Sequence, residues 1–153
     1  MNTEQSIDVL NALIVINNDR IEGYMRASKE TEESDLKTLF AQFENTSHKC
    51  KAELVKEVQR LGGEVAEGTK TTGKIYRAWM DIKATLTGSD RKAILNSCEY
   101  GEDVAIEAYE DALNNETENI SSEQQMMLKT QLQSIRADHD KVKGLRDMIT
   151  ENA

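Results

Sequence analysis

Over residues 3–29 the apolar side chains Ile7, Leu10, Ile14, Ile21 and Tyr24 recur at spacings that place them on one face of a helix. A second helix is expected over residues 35–61, with Leu36, Phe40, Phe43, Cys50, Leu54 and Leu61 on its inner side. The polar turn Thr31–Asp35 separates the two, with Ser34 as a capping residue and Asp35 suited to the positive end of the helix dipole. Gly62-Gly63 stops the second helix. After a polar loop, Ile75, Trp79, Ile82 and Leu86 mark a shorter helix over residues 73–87, ended by Gly88. Ser89-Asp90 then caps a helix running to about Asn114. Ser121 and Gln124 form a capping-box pattern that opens a last helix running to about Ile149. No fixed-period repeat interrupts this series.

The four long segments are each about 36–43 Å at 1.5 Å per residue. The first two are joined by a short turn, which makes them antiparallel neighbours. About 28 residues with a helix of their own join the second to the third, enough to traverse the bundle and return at its other end. The expected fold is therefore all-α, a single domain over residues 1–153. Its topology is a ferritin-like up-down-down-up four-helix bundle with an extra short helix in the crossover. A five-helix bundle with the Trp79 helix as an equal member is the alternative.

Composition narrows the function. The chain has no proline, which permits long unbroken helices. It carries 28 acidic against 19 basic residues, a net charge of −9. This balance repels phosphate and argues against nucleic acid as a partner. The longest apolar run, Val9–Ile16, contains Asn11 and is far short of the roughly 20 residues that span a bilayer. No secretory signal opens the chain, and two cysteines make no disulfide framework, so a cytoplasmic location is expected. Long acidic bundles exist as monomers and as homodimers, and both stay open.

Projection at about 100° per residue sends nearly all the carboxylates to solvated faces or helix N-termini. Glu102 and Asp138 are exceptions that point inward, with Asn17, Ser47 and Gln131. His139 lies on the same side as Ile135 and Val142, and Glu99 and Glu22 fall on the flanks. Asn17, Ser47, Glu102, Asp138 and His139 each sit near the middle of their helices, so together they are expected to form a polar layer at mid-bundle. A buried carboxylate requires a partner. Asn17, Tyr109, His139 and Arg136 are the candidates to satisfy Glu102. On that basis Glu102→Ala should destabilise by about 1–3 kcal/mol, and Glu102→Leu should be nearly neutral.

Mid-bundle carboxylates also hold iron in di-iron bundles, which need a Glu from each of two helices and a Glu-x-x-His pair from each of the others. This chain has no such pair. Glu44 and His48 are four apart and face outward, and Arg136 stands three residues before His139. No nucleophile–base pair, glycine-rich phosphate loop or zinc motif is present either. Cys50 and Cys98 read as core residues, and the Trp79 stripe as the face that docks the crossover helix.

The segments NNDRIEGY at 17–24, RAWMDIKATLTG at 77–88, CEYGEDVAIEAYEDAL at 98–113 and HDKVKGLRD at 139–147 resemble a bacterial family of ferritin-like four-helix-bundle proteins catalogued as a domain of unknown function. The resemblance implies a ferritin-like fold in a cytoplasmic bacterial protein, with kinship to ferritins and rubrerythrins and no activity attached. The expected function is non-enzymatic, a stress-associated or interaction protein with an absent or degenerate mid-bundle metal site and no cofactor. The alternative is an iron-binding protein or metal-dependent oxidoreductase using Glu102, His139 and Asp138, with Glu99 or Glu22 reaching in.

Overall fold

The computed structural model describes residues 3–68 and 91–152, and among these the chain is all-helical. Four long helices, α1 (Thr3–Glu30), α2 (Ser34–Arg60), α3 (Arg91–Asn115) and α4 (Ser122–Asn152), are accompanied by a single 3₁₀ turn at Thr117–Asn119. The expected helix over residues 73–87, with Trp79 and the Ser89-Asp90 cap, lies outside the described residues.

Contacts between the helices fix their directions. Rising numbers on α1 meet falling numbers on α2: Ile7 lies against Gly63, Arg20 bonds Ser47, and the Tyr24 ring packs edge-on to Phe43 at 5.2 Å. The same holds between α1 and α3, where Asn17 bonds Tyr109 and Tyr24 bonds Glu102. It holds again between α2 and α4, where Glu57 and Cys50 meet Gln124 and Gln131. Tyr109 and Asp103 on α3 face Gln131 and His139 on α4. Each of these four pairs is thus antiparallel. The chain leaves α2 beside Ile7, and by Gly68 it has reached Asn18 halfway along α1. It re-enters at Arg91, whose guanidinium bonds Glu33 and Asp35 at the α1–α2 turn. That contact holds the Asp35 carboxyl below its ordinary pKa.

The ends follow local chemistry. Gly62 stands at φ +80°, and the Gly62 and Gly63 amides bond the Gln59 and Val58 carbonyls, both at 3.0 Å. This is a Schellman closure, which only glycine enters without strain. Gly63 also presses on Ile7, leaving no room for a β-carbon. At the start of α4 the Ser121 amide bonds the Gln124 side chain at 2.8 Å and the Gln124 amide bonds Ser121 Oγ at 3.1 Å, a reciprocal capping box. The start of α2 differs from expectation. Ser34 is the first helical residue, Glu33 occupies the cap position, and no side chain caps it.

Leu10, Ile14, Leu36, Phe40, Phe43, Leu54, Leu95, Leu128, Ile135 and Val142 form a continuous buried core. Its inner faces follow the helical period read from the sequence, except that Ile7, Ile21 and Leu61 are only partly covered. No helix among the described residues is long and apolar enough to cross a membrane.

Candidate functional site: a buried arginine between two carboxylates

Arg20 is fully buried at mid-bundle. It sits three residues after Asn17 and four before Tyr24, so the helical period that turns those two inward carries Arg20 with them. Its guanidinium reaches three helices. Nη1 donates to Ser47 Oγ on α2 at 2.6 Å, and Nη2 donates to Glu102 Oε1 on α3 at 2.6 Å and to Asp138 Oδ2 on α4 at 3.2 Å. The Tyr24 hydroxyl donates to the same Glu102 oxygen. The Arg20 carbon Cζ stands 5.6 Å from the centre of the Tyr24 ring.

One turn away a neutral chain of hydrogen bonds continues the layer. Asn17 Nδ2 donates to the Tyr109 hydroxyl at 2.9 Å, and that hydroxyl donates to Gln131 Oε1 at 2.7 Å. Gln131 Nε2 then meets the Cys50 carbonyl at 3.4 Å and Glu53 at 3.2 Å.

Burial shapes the electrostatics. It opposes the Arg20 charge more than any one partner supports it, but Glu102, Tyr24 and Asp138 together outweigh that effect, and the guanidinium ends above its usual pKa. Burial raises both Glu102 and Asp138, while the Arg20 charge pulls each back. The directions agree with a simple charge count, since two carboxylates share one cation and the layer favours retaining a proton. Burial also raises Tyr24, which stays a neutral donor, and pushes the Cys50 thiol up to about 11.

A pH dependence follows. An acid raised in the folded state contributes stability below its unfolded pKa, here 3.8 for Asp138, and that stability is lost as pH rises through the folded value. The urea midpoint of the wild type should therefore fall relative to Asp138→Asn as pH rises from about 4, then level off. A gap that widens in the wild type's favour over the same range would contradict the excess negative charge.

The structure divides the residues that sequence reasoning grouped together. Asn17, Ser47, Glu102 and Asp138 are buried near the middle of the bundle. His139 is not among them. It follows Asp138, and one helical step turns its ring to the outer α3–α4 seam, where Nε2 lies 2.8 Å from Asp103 and 3.8 Å from Glu99. Glu22 pairs with Arg26 on its own helix at 2.7 Å. None of the four partners expected for Glu102 holds it. Asn17 and Tyr109 bond each other, and Arg136 pairs with Glu110 on the surface. Sequence reasoning missed Arg20, although its spacing from Asn17 and Tyr24 was the available signal. Arginine is almost never fully buried unless paired, and that general tendency masked the pattern.

Iron does not fit this arrangement. Glu102 Oε2 is a buried oxygen without a hydrogen-bond partner among the described residues, yet Oε1 is taken by Arg20 and Tyr24 and the facing Asp138 oxygen by Arg20. Glu102 Oε2 and the second Asp138 oxygen are too few ligands for iron, and a guanidinium at hydrogen-bond distance from both carboxylates repels a metal cation.

No curated protein matches the chain. A family model described as Domain of unknown function (DUF2383) matches residues 5–115, which takes in nearly all of α1 and the whole of α2 and α3. The chain belongs to that family.

Proposed function

We propose that the chain is a non-enzymatic, ferritin-like bundle, a stress-associated or interaction protein, in which a buried arginine stands where related bundles hold metal. The observation that carries this reading is the Arg20 guanidinium, bonded at once to Glu102, Asp138 and Ser47. A permanently charged side chain supplies the positive charge that iron supplies elsewhere, and it offers neither an open coordination position nor redox chemistry. The antiparallel registers, with a connection over residues 61–90 leading from one end of the bundle to the other, support the up-down-down-up topology. Two buried free thiols and an acidic surface suit a reducing cytoplasm, away from nucleic acid and lipid.

Ferrous iron added in air tests the reading. Oxidation should proceed no faster with the wild type than in buffer, and Glu102→Gln should change nothing. Rapid oxidation that is abolished by Glu102→Gln and kept by His139→Ala would overturn the proposal by placing a working metal centre at mid-bundle.

A further inference from the structure

On the outer seam of α3 and α4, Glu99, Asp103 and His139 bring one ligand atom each to within 4.8 Å of one another. Glu99 and Asp103 are one helical turn apart on α3, so both carboxylates face the same way. His139 meets them from the antiparallel α4, with Nε2 at 2.8 Å from Asp103 Oδ1 and 3.8 Å from Glu99 Oε1. Ligand atoms about 2.0–2.2 Å from a tetrahedral zinc ion stand roughly 3.3–3.6 Å apart. The two imidazole–carboxylate distances bracket that spacing.

A separate contact orients the ring. Asp140 Oδ1 lies 3.3 Å from Nδ1 of His139. In the tautomer with the proton on Nδ1, Asp140 accepts a hydrogen bond from it and the Nε2 lone pair faces Glu99 and Asp103, the outer-sphere arrangement that metal-binding histidines use. Charge points the same way. Around the imidazole stand the carboxylates of Glu99, Asp103 and Asp140, and the Arg146 guanidinium that contacts Glu99 also pairs with Asp147 at 3.1 Å. The side chains of Glu99 and His139 are only 15% and 17% exposed, while Asp103 and Asp140 close the cluster on its solvent side at 59% and 79%.

We propose that Glu99, Asp103 and His139 form a site for a divalent first-row transition cation such as Zn²⁺, which clamps α3 to α4. Three protein ligands leave a fourth position for water. Asp103 follows Glu102 and His139 follows Asp138, so the clamp lies at the height of the buried layer and back to back with it. The site does not depend on the function proposed for the core, because it shares no ligand with Arg20.

Zinc chloride titrated calorimetrically into the full chain tests the site, with thermal unfolding followed in parallel. The expected result is one Zn²⁺ per chain and a higher melting temperature in its presence. His139→Ala and Asp103→Asn should each weaken binding about tenfold or more and remove the thermal shift. His48→Ala, which alters the other histidine, should keep both. Asp103 is 59% exposed, so its asparagine variant tests the ligand without threatening the fold. Absence of zinc binding, binding indifferent to His139→Ala, or binding lost only in His48→Ala would each overturn the proposal. In the first case His139 and Asp103 form an ion pair and nothing more.

Discussion

Replacing Arg20 with methionine should lower the stability of the fold by about 3–5 kcal/mol at neutral pH, the cost of removing one partner from a buried ion pair. Methionine fills much of the volume of the arginine stem, so the loss is one of charge more than of packing. Glu102 and Asp138 then face each other across an apolar interior with no cation between them. Each can escape by taking a proton, which makes the penalty pH-dependent. It should shrink toward acid, where protonation of the two carboxylates costs little, and reach its full size near neutrality. Adding Glu102→Leu and Asp138→Leu to the same chain should recover most of the loss, since an apolar replacement of a whole buried ionic group is often neutral or stabilising. Urea midpoints of the single and triple variants at two pH values check both halves. A single variant as stable as the wild type would mean that Arg20 is solvated and not held by the layer.

Glu102→Leu should also cost about 3–5 kcal/mol. The expectation of near-neutrality drawn from sequence alone fails here for a definite reason. It took the partners of Glu102 to be among Asn17, Tyr109, His139 and Arg136, and Arg20 was not one of them. Arg20 is fully buried and reaches no water. With leucine at position 102 its guanidinium keeps Ser47 and the longer contact to Asp138, at 3.2 Å, but loses the 2.6 Å bond. Tyr24 loses its acceptor in the same step. Glu102→Gln retains an acceptor oxygen for both donors and removes only the charge, so it should cost about 1–2 kcal/mol. Equal losses for Leu and Gln would show that the charge alone matters and the hydrogen bonds do not.

Much of the architecture is legible in the sequence because it is written locally. The stop at Gly62 and the capping box at Ser121 and Gln124 depend on neighbours within three or four residues, and the helical period carries Glu102, Asp138, Asn17 and Ser47 to the inner faces. The site was harder to read for two physical reasons. Projection treats helices one at a time, so it shows that Glu102 needs a partner without showing which helix provides one. Arg20 reaches it from α1, 82 positions away in the chain. The angular resolution of projection is also about one residue, or 100°. Asp138 and His139 were placed in one layer on that account, although one faces Arg20 and the other faces the outer seam. The cap at Ser34 failed differently. Arg91, from the far side of the connection, engages Glu33 and Asp35, and α2 begins one residue earlier than its local signals suggest.

The claim that a buried arginine binds the bundle together at mid-height is tested most directly by a double-mutant cycle of Arg20→Met and Glu102→Leu in urea at neutral pH. If the guanidinium and carboxylate hold each other, the double variant should lose at least about 2 kcal/mol less than the sum of the two single losses. Losses that add to within about 0.5 kcal/mol would contradict the account, because the two side chains would then be acting independently.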